Sequence, residues 1–285
     1  MLNYFVFNGK SSRDFGIYIE KSPDSVHAER RGESFSVAGR NGSEVNEDST
    51  FENYNQTYEV GWKKEFERDA YQVSNDIASW LLGSSGYCRF EDTYEPEFFR
   101  MARFANPMSV NTLLNRRYGK TKLIFDFQPQ RFLKNGEKAV TAFENVNLAN
   151  TITAGFHINN PFAMAANPII RLTGRGDIRL MSEWSGLSPA VPMSGASPMS
   201  VGQNTRLAGS MTDLVFHLYS DDIVITIDCN DGRMSCDPSI IEYGTTYPEL
   251  PTLYQGDNAF TLTNIGVSNP GYVTKLEIIP RWWTI

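Results

Sequence analysis

Leu123-Ile124-Phe125-Asp126-Phe127-Gln128-Pro129-Gln130 puts apolar residues at every second position and then stops at a proline. Successive side chains of an extended chain point to opposite faces, so this spacing marks a strand with one face in a core. The same period recurs at Tyr58, Val60 and Trp62, and at Ile223, Ile225 and Ile227. Shorter strand candidates are Tyr4 to Phe7, Phe15 to Glu20, Phe35 to Val37, Ile169 to Thr173, Leu214 to Tyr219, Ala259 to Thr263 and Val273 to Ile279. With 13% aromatics, 22 glycines and 14 prolines spread along the chain, these segments predict a mainly β protein of antiparallel sheets packed as sandwiches.

One segment departs from this period. Val73, Ile77, Trp80 and Leu81 lie at i, i+4, i+7 and i+8, which is one face of a helix. Ser74 or Asn75 is the expected N-cap, and Gly83, followed by Ser84-Ser85-Gly86, the expected stop. The helix near residues 73–83 reads as a flank to a sheet.

The length of 285 residues suits two domains. Gln128-Pro129-Gln130 closes the strong strand, and Lys134 to Asn150 is polar and turn-rich before β periodicity resumes near Ile169. The expected division is therefore residues 1–133, an N-terminal β domain carrying the helix, and residues 134–285, a C-terminal β sandwich. Residues 184–212 are dominated by Ser, Gly, Pro, Ala and Met and read as a long surface loop. Near the C-terminus Leu276 and Ile278 alternate with Lys275 and Glu277, and Trp282 and Trp283 follow. Two large aromatics left in water would be a liability, so a packed strand is expected there, with a partner-binding tip as the alternative. Packing of residues 273–285 back onto the N-terminal domain is left open.

Composition excludes several classes of function. No run approaches the roughly 18 apolar residues of a membrane span, and Met1 to Lys10 lacks the basic and apolar regions of an export signal. Lys and Arg total 26 against 33 Asp and Glu, a net charge of -7, so the basic footprint of a nucleic-acid binder is missing. Three cysteines, Cys88, Cys229 and Cys236, are too few for a disulfide scaffold and fit synthesis in a reducing cytoplasm.

The residues that could carry chemistry have simpler readings. His27, His157 and His217 lie too far apart in sequence to complete a zinc site. Cys229 and Cys236 flank Asn230-Asp231-Gly232-Arg233 and are expected as free thiols, although a hairpin there leaves a disulfide geometrically open. Asp228, Asn230, Asp231 and Asp237 resemble a calcium loop, but Gly232 occupies a ligand position, and an Asp-Gly hairpin turn accounts for them. Arg175-Gly176-Asp177 is expected to be a tight turn between two strands. Glu91, Asp92, Glu95 and Glu97 surround Pro96 in a short charged turn. No nucleophile elbow, phosphate loop or dinucleotide fingerprint occurs. No catalytic, cofactor-binding or metal-binding residue is assigned, and no enzyme activity or cofactor is expected.

Several local signatures nevertheless occur in a shared order. They are Phe7-Asn8-Gly9 with Asp14-Phe15-Gly16-Ile17 and Ile19-Glu20, then Gly39-Arg40-Asn41-Gly42 before the acidic Glu52-Asn53-Tyr54. Next come Ile77 to Leu82, Gly86-Tyr87, Glu91-Asp92, Arg100-Met101-Ala102, Asn160-Pro161, Asn167-Pro168-Ile169-Ile170 and Gly174. The series ends with Ile227-Asp228, Tyr247-Pro248-Glu249-Leu250, Gly256-Asp257-Asn258 and Ile278-Ile279-Pro280-Arg281-Trp282-Trp283. In these features the chain resembles the distal tail (Dit) proteins of long non-contractile-tailed phages and prophages of Gram-positive bacteria.

That resemblance implies a structural virion protein at the tail tip. It would be a homohexameric ring of N-terminal domains, each subunit projecting a galectin-like or carbohydrate-module-like sandwich. One ring face would join the major tail tube protein and the other the tail-associated hub or lysin protein, with the tape measure protein a further partner. Gly39, Arg40, Asn41 and Gly42 are the candidate subunit interface, since two glycines free the backbone and Arg40 could bond a neighbour bidentately; a plain hairpin fits them too. Trp282 and Trp283 are the candidate C-terminal packing residues. A channel passing a genome would be lined by Asp and Glu in preference to Lys and Arg. The alternative reading is a carbohydrate-binding module or adhesin on the cell wall, resting on exposed Trp and Tyr of a sandwich face. A tail glycosidase using Glu91 and Glu97 ranks below both.

Overall fold

The computed structural model describes residues 2–63, 70–104, 110–113, 118–149, 153–184, 211–237, 249–266 and 269–285. It is mainly β, as the alternation predicts, and divides into residues 1–132 with Ile285, and residues 133–284.

In the N-terminal unit the strands are β1 (Phe5–Phe7), β2 (Lys10–Ser11), β3 (Ile17–Ile19), β4 (Arg30–Ser36), β5 (Ser43–Phe51) and β6 (Tyr54–Lys63). Helix α1 (Ala70–Leu82) follows, then β7 (Cys88–Asp92), β8 (Phe98–Phe104), β9 (Val110–Leu113) and β10 (Tyr118–Leu133). The main sheet runs β2-β1-β7-β8-β10-β6-β3, and β9 also pairs with β10. β10 and β6 pair over ten residues, which sets Leu123 opposite Tyr58 and Phe125 opposite Gln56. Leu123, Phe125, Phe127, Tyr58, Val60 and Trp62 are all buried, together with Phe5, Phe7 and Phe90. Phe90 meets Phe125 and Phe127 edge-on at 5.0 Å, an arrangement that aromatic quadrupoles favour.

Helix α1 closes one side of this core. Val73, Ile77, Trp80 and Leu81 are buried as their spacing predicts, with Trp80 stacked on Phe15 at 4.5 Å. Its ends differ from the sequence expectation. The helix starts at Ala70, so Ser74 and Asn75 lie inside it rather than capping it. The Gly83 amide donates to Ser79 O at 3.0 Å, continuing the helical pattern, and the left-handed glycine is Gly86, at φ 71°.

The C-terminal unit contains β11 (Val140–Asn147), β12 (Thr153–Asn160), β13 (Ile169–Trp184), β14 (Met211–Asp228), β15 (Arg233–Asp237), β16 (Gly256–Asn264), β17 (Tyr272–Ile279) and β18 (Trp283–Thr284). Its main path is β11-β17-β13-β14-β15, with β16 pairing both β12 and β13. β13 is lined by β17 along Ile169–Arg175 and by β16 along Ile178–Trp184.

Five expectations are corrected here. β10 does not close at Gln128-Pro129-Gln130 but runs on to Leu133; its pairing with β6 ends at Phe127, so the missing Pro129 N–H lies beyond that ladder. Arg175-Gly176-Asp177 is not a turn between strands: it lies inside β13, at a register shift between Gly174 and Gly176. A Cβ on Gly174 would stand 2.4 Å from Tyr272 O, and Gly176 sits at φ 84°, where a Cβ would meet Pro270 O at 2.5 Å. Glycine lets the strand bulge where neighbouring backbone crosses it. Likewise Leu214 to Tyr219 and Ile223 to Ile227 belong to one strand, β14. The turn-rich stretch 134–150 holds β11, whose bulge between Thr141 and Phe143 breaks the alternation. Trp184 and Thr212, the expected ends of the long loop, are buried sheet residues; residues 185–210 lie outside the described residues.

Candidate functional site

Strands β4 and β5 form a two-stranded sheet that joins no other strand among the described residues. Every residue of β4 is exposed. A glutamate-rich hairpin with only a few apolar side chains, divided between its two faces, gains little by packing on its own sheet and stands apart as an arm. Its root is fixed by Arg31, whose Nε donates to Glu52 Oε1 at 2.6 Å, and by the Glu52 amide, which donates to Glu29 O at 2.8 Å.

The tip carries the residues singled out by sequence. Gly39 and Gly42 take φ 84° and 91°, a region open to glycine at little cost, and the Arg40 amide closes the turn on Val37 O at 3.1 Å. Arg40 Nη1 donates to Glu44 of the same arm, so part of the fork expected to reach a neighbour is engaged within the chain. Gly39, Arg40, Asn41 and Gly42 are all exposed.

Phe35 was not among the interface residues named from sequence. It stands opposite Glu44 on one face, while Val45 stands opposite Ser34 on the other. Phe35 is 49% exposed, Val37 39% and Val45 58%. Covering what remains exposed of one such side chain is worth about 1 kcal/mol, roughly half the value for full burial, so the arm presents apolar surface that another surface can cover. Residues 29–52 hold six carboxylates in sequence, Glu29, Glu33, Glu44, Glu47, Asp48 and Glu52, against three guanidiniums, Arg30, Arg31 and Arg40. An arginine-bearing or apolar partner suits that balance better than an acidic one.

The C-terminal aromatics are elsewhere and packed. Trp282 is buried in the C-terminal core, and its carbonyl accepts from the Leu133 amide at 2.9 Å. Its backbone nitrogen would lie 2.7 Å from a Cβ on Gly136, so glycine is required at that contact. Trp283 is half-buried, its indole N–H donating to Ala165 O at 2.9 Å.

The remaining chemical candidates are engaged structurally. Asp92 accepts from the amides of Tyr94 and Glu95 and from the Tyr58 hydroxyl at 2.8 Å; burial first, then the Asp92 charge, push the Tyr58 phenol well above its ordinary range. Glu95 accepts from Arg100 and Arg131, and Glu91 from Arg89 Nε at 2.6 Å. Asp228 is held by Arg281 and by the Asn230 amide, and Asp231 caps the Arg233 amide. His217 bonds Asp177 and His157 bonds Asp257, each at 2.8 Å. Cys88, Cys229 and Cys236 are free thiols; burial pushes Cys229 up to about 12. Among the described residues no group of three or more His, Cys, Asp or Glu is placed to hold a metal ion, and no helix is long and apolar enough to cross a membrane. The large apolar residues exposed on the C-terminal unit, among those described, are Val140 and Ile265, and neither is the Trp or Tyr that a glycan platform uses.

No protein-family model and no curated protein matches the sequence. Among solved structures the chain is similar to SPP1 Dit (gp 19.1), described as a paradigm of the hub adsorption apparatus in phages infecting Gram-positive bacteria. The likeness has a TM-score of 0.63 at 11% identity and covers 100% of both chains. The phage p2 baseplate in its activated conformation with Sr aligns over 98% of each chain at 8% identity, with a TM-score of 0.43. The first likeness gives the chain a Dit-like fold, the fold that the resemblance implied.

Proposed function

We propose that the chain is a structural protein of a phage tail, a distal tail protein that forms a homohexameric ring at the tail tip. The observation that carries this reading is a fold shared with SPP1 Dit over the whole of both chains. The arm supports it physically: among the described residues β4 and β5 pair with no other strand and β4 is exposed throughout, and a neighbouring subunit would cover them. Repeating such a contact head to tail closes a ring when the rotation between subunits divides a full turn.

In this reading the N-terminal units make the ring, and the C-terminal unit is a galectin-like sandwich presented outward. One ring face meets the tail tube, and the other carries the hub or lysin protein, with the tape measure protein a further contact. The chain is made in the host cytoplasm, ends in the virion and works as architecture without catalysis. Native mass spectrometry and negative-stain imaging of the purified protein at high concentration test it, with a closed ring of six subunits as the expected result. Monomers at every concentration, together with no ring of this chain in assembled tails, overturn it.

A further inference from the structure

Asparagine followed by glycine is chemically labile, because the glycine amide can reach the preceding side chain with no Cβ in the way. The chain has three such pairs, Asn8-Gly9, Asn41-Gly42 and Asn135-Gly136. The fold treats them differently.

Asn8 is tethered on both sides. Its amide donates to Arg89 O at 3.0 Å and its side-chain nitrogen to Ser84 Oγ at 3.1 Å, and the pair is locked as a left-handed turn at φ 49° and 76°. Gly136 is buried, with its carbonyl accepting from the Arg281 amide at 2.8 Å and its Cα against the Trp282 backbone. Swinging the Asn135-Gly136 peptide would break that contact. Asn41 is exposed and its side chain makes no hydrogen bond among the described residues; a Cβ on Gly42, as on Gly9, would meet nothing within 4 Å, so the Ser84 and Arg89 tethers are what set Asn8 apart from Asn41.

We infer that Asn41 is a self-modification site of this chain: in the folded protein it deamidates ahead of Asn8 and Asn135, turning the arm tip into aspartate or isoaspartate. The Gly42 backbone nitrogen, giving up its proton, forms a bond to Asn41 Cγ. The Cγ–nitrogen bond of the side-chain amide breaks, and ammonia leaves with the proton returned. Water then opens the cyclic imide at either carbonyl, giving aspartate or isoaspartate. The net change is one water consumed and one ammonia released.

Either product adds a negative charge beside the Arg40–Glu44 pair, and isoaspartate also inserts a methylene into the backbone next to the Ser36–Ser43 register. A consequence for assembly rests on the ring reading above: unassembled subunits would lose competence with age, while a covered tip would be shielded.

The test incubates the purified full chain at mildly alkaline pH, folded and in urea, and follows all three pairs by peptide mapping with isoaspartyl methyltransferase labelling. Expected in the folded protein is conversion at Asn41 several-fold faster than at the other two, with comparable rates at all three in urea. Asn41→Gln should remove most of the labelling from the folded chain. Conversion at Asn8 or Asn135 at an equal or greater rate in the folded protein overturns the inference, as does a folded Asn41 that stays intact while the unfolded chain converts. The folded incubation is run at a dilution where sedimentation velocity shows only monomers, so that shielding of the tip by a neighbouring subunit does not enter the rates; ring formation by Asn41→Asp, measured separately, reports only on the ring reading.

Discussion

Arg281 grips Asp228 with both ends of its guanidinium, Nη1 to Oδ1 at 2.7 Å and Nη2 to Oδ2 at 2.6 Å, from a backbone in the left-handed region at φ 57°. The pair joins the end of β14 to the segment that carries Trp282 into the core. A bidentate pair on partly covered groups stabilises by about 1–2 kcal/mol. Arg281→Ala, Asp228→Ala and the double variant, compared by urea denaturation, should give a coupling energy of that size; a value within a few tenths of zero would dismiss the pair as a clasp.

The same pair makes an acid-side prediction. Burial acts to raise the Asp228 carboxyl, but the Arg281 hydrogen bond and the Asn230 amide outweigh it and hold it below the ordinary carboxylate value. A depressed folded-state pKa gives stability that is present above the unfolded value and lost as pH falls through the folded one. In Arg281→Ala the slope of stability against pH should therefore flatten below the ordinary Asp range. An unchanged slope contradicts the assignment.

Cys229 supplies the alkaline counterpart. Burial, aided by the Asp228 charge, raises its thiol to about 12. Its contribution to stability is complete below the ordinary thiol pKa and declines as pH rises from there towards that value. A thiol reagent near neutral pH should modify the half-buried Cys88 and Cys236 in the native protein and reach Cys229 only on unfolding. Rapid native labelling of Cys229 would refute its burial.

On the arm, Phe35→Asp should abolish ring formation while the far-ultraviolet circular dichroism and melting of the subunit stay close to the parent, since Phe35 is half exposed and does not belong to the N-terminal core. Arg40→Ala should weaken the ring less, because an exposed pair such as Arg40–Glu44 is worth about 1 kcal/mol or less. Sedimentation velocity separates the two, and a Phe35→Asp variant that assembles normally excludes the arm as the contact.

Trp282→Ala should cost about 3–5 kcal/mol, the range for emptying a core aromatic site, and Gly136→Ala should also destabilise by forcing a Cβ onto the Trp282 backbone. Trp283→Phe, which keeps the ring but drops the bond to Ala165 O, should cost about 1 kcal/mol. Melting of the Trp282 variant at the parent temperature would show that this indole is not a core residue.

The sequence is most legible where one face of an element is buried and the other wet. Leu123, Phe125 and Phe127 on β10 and the Val73 to Leu81 stripe on α1 are of this kind. β4 gave only its fragment Phe35 to Val37, because a strand exposed on both faces has no reason to alternate. β11 was hidden by the bulge that puts Thr141 and Phe143 out of period, and β13 was cut short because glycines that mark a turn in one context mark a bulge in another. Arg40 could be named from its glycine frame, whereas its engagement with Glu44 depends on the strand register, which no local pattern specifies.

The two halves of β13 have different neighbours on one side and share β14 on the other. In mechanical terms the strand is a splice. It runs for 16 residues, on the order of 50 Å of chain, and laps across the joint between β17 and β16 as a timber laps across two shorter ones. Tension applied at Trp184 and resisted at Ile169 loads the hydrogen bonds on both flanks in shear and together, where a free hairpin would unzip one pair at a time. Strength then resides in the overlap, and the point of yield is the Gly174–Gly176 offset where the two laps meet.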